Sequence, residues 1–482
     1  MTDVLPRSQV DVLEQNAMDV LRVVRSIKNT FAPVNRIPPE LLSLIPDHFE
    51  TDNPFKIDKE LINLTHVCHG WREIFISRAS LWRFLDCANL DKTRVCIQRS
   101  RESPLEITLV AQLLGRYSDA LLLTIPHIGR LKALTLYGDS PSVLDLPKVF
   151  RSPAPLLEKL EIKACDHRFA AIENILFNGD FSSLHELRLT RVATNLPWKD
   201  LSNLTTFDFC QPIPGTSMTR LLTFFERAPL LRNINLPNSL PDSSDAPAER
   251  VVPLLRLRSL NIYGAQGHSV LLNHLCIPTG ALVILGFFLN DRNTQIRDYL
   301  PRSLDNLSNI SHITSIRLDF KLGTAVWLEG PSGGLRMNFP AYPAPDQRIE
   351  SLDELPISTT KTLAIHQYRV SEIKVYRTLL MMNNLRTLML TNCINISFFL
   401  VLNPARNASN TVLCPKLEEL SLSVPEQEVE FHTDDLLEMA KERASVGAKL
   451  SAIVITCPCD MISEDELSSL REHASRVDRI LR

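Results

Sequence analysis

The chain has 482 residues, of which 44% are hydrophobic and 22% charged, a balance typical of a folded globular protein and not of a disordered one. This length predicts either a small domain with a long one or a single extended array. The 52 basic and 55 acidic residues give a formal net charge of -3, which argues against nucleic acid as the main partner.

The sequence also favours certain compartments. No apolar run approaches the roughly 18 residues of a membrane helix, and the start lacks the basic region and apolar run of a secretory signal. The ten cysteines are scattered instead of set at disulfide-scaffold spacings, which is typical of free thiols in a reducing environment. We expect a cytoplasmic and/or nuclear protein that does not bind membranes.

The N-terminal region, residues 1–35, is predicted to contain an amphipathic helix from about Asp11 to Phe31 that packs against whatever follows. Its apolar residues recur at steps of three and four, which is the period of one helix face. They are Leu13, Ala17, Val20, Leu21, Val24 and Ile27. A second helix is expected to begin at Pro38 and Pro39, because first-turn amides have no helical acceptor and proline is tolerated there.

The stretch INLTHVCHGWREIFISRASLW, residues 62–82, gathers two histidines, a cysteine and two tryptophans, and raises the question of a metal site. On one continuous helix the side chains of His66 and His69 would lie opposite an apolar stripe that includes Cys68. No second pair of Cys or His follows at zinc-finger spacing. We therefore predict no metal site. The stripe consists of Leu61, Leu64, Cys68, Trp71 and Phe75.

From residue 100 the pattern L-x-x-L-x-L recurs, beginning at Leu131, Leu157, Leu184, Leu204, Leu231 and Leu257. The intervals of 26, 27, 20, 27 and 26 residues lie within the 20–29 typical of leucine-rich repeats. Leucine-rich chains can contain this pattern by chance, but six near-regular copies favour a real repeat. The predicted fold class is α/β, with a solenoid of parallel strands alternating with helices over residues 100–465. Degenerate copies begin at Leu282, Ile313, Leu385, Leu417 and Leu450.

Two further segments interrupt or follow the array. Residues near 320–360 predict an inserted hairpin and a proline-rich loop, and residues 466–482 predict a C-terminal helix. The insertion contains Gly330-Pro331-Ser332-Gly333-Gly334, which matches the nucleophile motif G-x-S-x-G. A strand-like segment follows it where that motif needs a helix, so a hairpin turn is the better interpretation.

No coherent catalytic, cofactor-binding or metal-binding constellation emerges, and we expect a protein that is not an enzyme. The phosphate-binding loops and the H-E-x-x-H motif are missing from the sequence. Cys457-Pro458-Cys459 has the spacing C-x-C and not the redox spacing C-x-x-C, and it ends a predicted strand. Structural thiols are the better interpretation of this pair.

Residues 36–90 resemble an F-box. The run Ile37-Pro38-Pro39-Glu40-Leu41-Leu42 matches the opening of the family pattern. The second half of the pattern is matched by Leu64, Val67, Cys68, Trp71, Arg72, Leu81 and Trp82. With its leading helix and leucine-rich tail, the chain is similar to F-box proteins of mushroom-forming fungi, although the connection between the two halves of the F-box is longer than usual.

This resemblance implies that the F-box binds the Skp adaptor of a Skp–cullin–F-box ubiquitin ligase, and through it a cullin, while the repeats recruit a protein substrate. The alternative function is a leucine-rich-repeat scaffold that is not coupled to ubiquitination. For each implied adaptor contact, packing in the domain core is the alternative. The implied contacts are Ile37, Pro38, Leu41, Leu42, Ile45, Leu64, Val67, Cys68, Trp71 and Trp82.

The substrate face of the repeats is expected where strand residues point away from the core. These are the central x positions, and their mixed polar character fits a protein contact, although solvation alone also explains it. They are Thr135, Glu161, Arg188, Asp208, Asn235 and Asn261.

Overall fold

The computed structural model divides into two compact units, Met1–Leu187 with Val192–Asp200 (unit 1) and Arg188–Arg191 with Leu201–Arg482 (unit 2). Both units are α/β, with mostly parallel strands. The structure describes residues 6–48, 54–110, 119–139, 149–165, 170–172, 176–179, 181–194, 201–210, 217–237, 249–264, 267–287, 299–301, 303–320, 324–339, 352, 355–366, 372–392, 397–407, 411–424, 433–457 and 462–481.

The α-helices of the described residues differ widely in length. Among them, no helix combines the length and the apolar character that crossing a membrane requires. The helices are α1 Arg7–Thr30, α2 Pro39–Leu44, α3 Pro54–Thr65, α4 His69–Ser77, α5 Leu90–Ser100, α6 Asp119–Leu122, α7 Met218–Arg227, α8 His268–Asn273, α9 Glu372–Leu380, α10 Ser397–Leu402, α11 Thr433–Ser445 and α12 Glu464–His473.

The strands are short, and most alternate buried with more exposed residues. They are β1 Phe84–Leu85, β2 Leu105–Val110, β3 Leu131–Gly138, β4 Lys159–Ala164, β5 Ala170–Ile172, β6 Glu186–Thr190, β7 Val192–Thr194, β8 Thr206–Cys210, β9 Asn233–Pro237, β10 Val252–Pro253, β11 Ser259–Gly264, β12 Leu275–Cys276, β13 Leu282–Phe287, β14 Ser315–Asp319, β15 Thr324–Glu329, β16 Gly334–Phe339, β17 Thr362–His366, β18 Thr387–Thr391, β19 Glu419–Ser423, β20 Ala452–Cys457 and β21 Val477–Leu481.

In unit 1 the strands β1, β2, β3 and β4 pair side by side and all run parallel. Strand β1 ends the helical segment, and Arg83 beside it pairs with Glu106 of β2 through Nε and Oε1 at 2.9 Å. The helical segment therefore continues directly into the sheet. For this reason the division between the units does not fall at the predicted boundary between residues 90 and 100.

In unit 2 the pairing order is β8, β9, β11, β13, β16, β15, β14, β17, β18, β19, β20 and β21. All of these pairs are parallel except the two that β15 makes. The residues that occupy equivalent sequence positions lie side by side, as with Leu260 between Ile234 and Val283. These inward residues are buried, so the apolar rows form the core of the unit.

A short bend precedes many of these strands and was not visible in the sequence pattern. In many copies the opening leucine donates its amide to the carbonyl three residues earlier, and both residues are buried. The bend therefore lengthens the apolar part of these copies beyond L-x-x-L-x-L. The bonded pairs include Leu157 to Ala154, Leu184 to Phe181, Leu204 to Leu201, Leu231 to Ala228, Leu257 to Leu254, Leu385 to Met382 and Leu417 to Cys414.

Strands β15 and β16 form an antiparallel hairpin where the sequence predicts an insertion. The Gly330 amide donates to the Gly333 carbonyl at 2.8 Å and closes the turn. The hairpin occupies two positions in the sheet, because β16 pairs with β13 and β15 pairs with β14. Since a strand and not a helix follows Ser332, the match to G-x-S-x-G has no nucleophile-elbow geometry.

The chain end differs from the predicted helix over 466–482. Helix α12 ends at His473, and the residues after Ser475 form β21, which pairs with β20. Val477 is buried there, because β21 pairs along β20 and covers the edge of the sheet.

Helix α1 does not pack as expected. None of its residues is buried, and the predicted apolar face remains exposed along the whole helix. The Asn35 side-chain amide donates to the Asn29 carbonyl at 2.7 Å and links the helix to the residues that follow it.

We expect Gly333→Ala to destabilise unit 2 by about 1–3 kcal/mol, because an added methyl group would clash with the backbone carbonyls of Thr279 and Ala281. Gly280→Ala is the matched control, since nothing lies within 4 Å of a methyl group there. Denaturant unfolding of the full chain compares the two variants. Equal unfolding midpoints would contradict the tight packing of the hairpin turn.

A second prediction concerns His268, which is buried beside Phe287, with ring centroids 4.6 Å apart. Burial lowers the pKa of His268 from 6.5 to about 4. Between these pH values the unfolded chain binds a proton that the folded chain does not. The contribution of neutral His268 to the free energy of unfolding is therefore fully present above pH 6.5 and is lost as the pH falls toward 4. We expect acidification to lower the free energy of unfolding by up to about 3 kcal/mol.

The measurement is the unfolding free energy of the full chain at pH 7 and pH 4.5, for the unchanged protein and for His268→Phe. The variant keeps an aromatic ring in the cluster but lacks the titrating group, so its loss of stability on acidification is expected to be smaller. An identical pH dependence in both proteins would refute the role of His268.

Candidate functional site

Two separate sets of residues are candidates: the helical segment of unit 1 from Arg36 to Trp82, and the outward faces of the strands within each unit. Ile37 and Pro38 are extended, and α2 begins at Pro39 with its proline in the first turn. Helices α2 and α3 both contact α4. These contacts bring together residues from the two halves of the F-box-like pattern despite the long connection.

The sequence analysis treated residues 61–75 as one helix, and this is wrong. The amides of His66 and Val67 donate to carbonyls three residues earlier, which ends α3. Cys68 is extended, with φ of -158°, so α4 begins anew at His69. The separation of the side chains survives the break, since Trp71 is buried whereas both histidines are exposed.

Trp71 and Trp82 belong to the core of the segment. The Trp71 indole Nε1 donates to Asn35 Oδ1 at 2.9 Å, and its ring meets Phe75 edge-on at 5.7 Å. The Trp82 indole Nε1 donates to the Phe75 carbonyl at 2.9 Å. The Arg99 guanidinium carbon lies 4.3 Å from the centroid of the Trp82 ring. Both tryptophans therefore have their polar and apolar parts satisfied within unit 1.

The other implied contact residues divide by exposure. Leu42 is buried, with 3% of its surface exposed, whereas Leu41 beside it is 56% exposed. Two residues outside the set of implied adaptor contacts, Leu44 and Ile62, are also exposed apolar side chains. The exposed members are Ile37, Pro38, Leu41 and Val67, the half-buried members are Ile45, Leu64 and Cys68, and the buried members are Leu42, Trp71 and Trp82.

The described residues offer few groups suited to metal binding or thiol chemistry. Among the described residues, no group of three or more His, Cys, Asp or Glu side chains is placed to hold a metal ion. Burial raises the pKa of the Cys87 and Cys414 thiols to about 12, so both are poor nucleophiles at neutral pH. Cys457 is buried at the end of β20, and Pro458 and Cys459 lie outside the described residues.

In unit 1 the predicted sheet-face residues Thr135 and Glu161 lie side by side on β3 and β4. Glu161 is engaged within the sheet, because the Tyr137 hydroxyl donates to its Oε1 at 3.0 Å and Lys159 Nζ lies 3.5 Å from its Oε2. A partner would have to compete with these contacts to bind that carboxylate.

In unit 2 the residues Asp208, Asn235 and Asn261 form one row across β8, β9 and β11. The Asn235 amide donates to Asp208 Oδ1 at 3.1 Å. Two members of this polar row, Asp208 and Asn235, therefore bind each other. Arg188, on β6, is exposed.

The sequence analysis missed a cluster on the same face of unit 2. Trp327 of β15 lies between Arg336 of β16 and Arg317 of β14 in the strand register. The guanidinium carbons lie 4.5 Å and 4.7 Å, respectively, from the centroid of the Trp327 ring. Arg317 occupies the central x position of the degenerate copy that begins at Ile313. Extending the list of such positions would have found it.

Comparison with known proteins adds no family to this description. The chain matches no protein-family model, and no curated protein matches its sequence significantly.

We expect Leu42→Ala to destabilise the helical segment by about 2–5 kcal/mol, because it leaves a cavity in a buried site. The matched control is Leu41→Ala, which changes an exposed side chain and is expected to cost no more than about 0.5 kcal/mol. Hydrogen exchange of the full chain, followed over residues 61–82, measures the difference. Equal protection in the two variants would contradict the division between core and surface.

Proposed function

We propose that this chain is the substrate-recognition subunit of a Skp–cullin–F-box-type ubiquitin ligase. In this proposal residues 36–90 form an F-box-like domain that binds the Skp adaptor, and the strands that follow form a leucine-rich-repeat solenoid that recruits a protein substrate. The chain itself catalyses no step, and it acts in the cytoplasm, the nucleus or both.

The observation that carries the proposal is the division of the F-box-like pattern into a buried and an exposed set. A pattern that served only the core would leave its apolar members buried. Instead Ile37, Leu41 and Val67 expose between 38% and 56% of their surface. Exposed apolar side chains held on a packed helical frame provide what a partner needs, because burying them on binding is favourable.

The buried set supports the same proposal by fixing the frame. Trp71 contacts Phe75 of its own helix and binds Asn35, which precedes α2. The exposed residues of α2 and of the break before α4 are thus held by packed neighbours, so their ordering costs little on binding. A small helical domain that keeps such residues exposed gains stability when a partner covers them.

The repeat assignment rests on spacing and burial together. The sequence copies recur at 20–27 residues, and pairs such as Ile234 and Leu260 are neighbours in the parallel sheet. In each copy the strand residues that point outward are not needed for the core, so together they can form a surface that recognises a partner.

The second candidate function is a leucine-rich-repeat scaffold that is not coupled to ubiquitination. The observation that favours it is the sheet-face cluster of Arg317, Trp327 and Arg336, which could bind a partner whether or not an adaptor is present. Adaptor binding distinguishes the two functions, because only the ligase subunit requires it.

We expect the purified full chain to bind a Skp-type adaptor, and Leu41→Ala and Val67→Ala each to weaken this binding about tenfold, because each removes an exposed apolar contact. Leu255→Ala is the matched control, because Leu255 is a leucine with 74% of its surface exposed outside the F-box-like segment. Isothermal titration calorimetry measures the affinities. Circular dichroism confirms that each variant is folded.

If the folded chain does not bind the adaptor, the ligase proposal is wrong and the scaffold function is favoured. Equal weakening by Leu255→Ala would show that binding does not depend on the F-box-like surface.

A further inference from the structure

The hairpin β15–β16 brings an aromatic side chain between two cationic ones on the outward face of the unit 2 sheet. The buried neighbours Val326 and Leu328 face the core, so Trp327 faces outward. Arg336 approaches the indole from one neighbouring strand and Arg317 from the other, each at less than 5 Å from the ring centroid. Cation–π attraction therefore holds both guanidinium groups in place.

In the part of the chain that the structure describes, no carboxylate neutralises either guanidinium. Within the residues that the structure describes, Arg317 and Arg336 have no ion-pair or hydrogen-bond partner. Of the carboxylates at the neighbouring outward positions of β14 and β15, Asp319 lies 3.3 Å from His366 Nδ1, and Glu329 is exposed at the end of β15. The stacked arginines thus keep their hydrogen-bond donors for an anion from outside.

The surroundings favour an acidic peptide over a nucleic acid. Both guanidinium groups already lie over the Trp327 ring, within 5 Å of its centroid, so a stacking base would have to compete with them. A nucleic acid would bring a continuous run of phosphates past Asp319 and Glu329, whereas a peptide can place uncharged residues beside these two carboxylates. On either side of the cluster the same sheet row continues with the apolar residues Ile284, Ala364 and Met389.

The spacing of the arginines also fits an extended segment. Arg317 and Arg336 lie two strands apart, roughly 9–10 Å between backbones, and their side chains lean toward the tryptophan between them. Alternate side chains of an extended peptide are roughly 7 Å apart. Carboxylates at positions i and i+2 can therefore each reach one guanidinium, with apolar side chains beside Ile284 and Met389.

We propose that Arg317, Trp327 and Arg336 bind an extended acidic segment of a partner protein, one carboxylate to each arginine. The proposal deepens the proposed function, because it assigns a substrate class to the sheet face. It does not depend on adaptor binding.

The test is fluorescence anisotropy of the full chain with a labelled peptide, acetyl-Ser-Glu-Ala-Glu-Ala-Glu-Ser, at low ionic strength. The same peptide with glutamine in place of each glutamate is the uncharged probe. We expect at least tenfold tighter binding of the acidic peptide and loss of the difference in 0.5 M salt, because exposed ion pairs are screened. Equal affinity for the two peptides would overturn the proposal.

Variants locate the site. We expect Arg317→Gln and Arg336→Gln each to weaken binding roughly fivefold. Arg256→Gln, at an exposed arginine in the bend before β11, is the matched control and is expected to leave binding unchanged. Trp327→Phe keeps a stacking ring and should weaken binding less than Trp327→Leu. Equal loss in the control, or none in the cluster variants, would refute the site.

Two further measurements test whether this cluster binds a different class of partner. Tighter binding of a labelled oligothymidylate that the arginine variants abolish would overturn the proposal in favour of nucleic acid. A dimer in analytical ultracentrifugation that Arg317→Gln and Arg336→Gln dissociate would overturn it in favour of a second copy of this chain. Adaptor affinity should be unchanged in both arginine variants, so failure here is distinguishable from failure of the ligase proposal.

Discussion

The stacking of apolar side chains between neighbouring parallel strands supports most of the structure. In unit 2 the row Ile234, Leu260, Val283 and Leu335 passes from strand to strand in register, and all four residues are buried. A single strand with its bend cannot bury this face alone, so each copy depends on its neighbours. Because alternate residues of a strand point in opposite directions, the same constraint leaves the other face available for polar and charged side chains.

The helical segment also depends on the burial of apolar side chains, and it achieves this with fewer residues. Trp71 and Trp82 fill its core and satisfy their indole N–H groups through Asn35 and the Phe75 carbonyl. This packing leaves Leu41 and Val67 exposed on the surface. The buried tryptophans thus define the shape, and the residues that they exclude from the core define the surface proposed to bind an adaptor.

The hairpin shows how an interruption of the array can generate a distinctive surface. Its strands are inserted between β13 and β14 in the sheet, and their alternation buries Val326 and Met337. The antiparallel register sets Trp327 opposite Arg336, and the next strand adds Arg317. A regular repeat would have placed unrelated residues there. The proposed acidic-segment site and the proposed adaptor surface lie on different parts of the chain and can be tested separately.

The amino-acid pattern was enough to predict the α/β class, the strand positions in the regular copies, and the separation of the two histidines from the apolar residues around Cys68. These features follow from local periodicity, which nearby residues fix. The break before α4, the strand Val477–Leu481 and the exposure of α1 depend instead on tertiary packing. It also buried Arg443, whose guanidinium donates to the carbonyls of Leu413 and Cys414 at 2.9 Å and 3.0 Å. Periodicity could not predict these features because each depends on partners distant in the chain, whose positions are set only when the sheet and the helices pack.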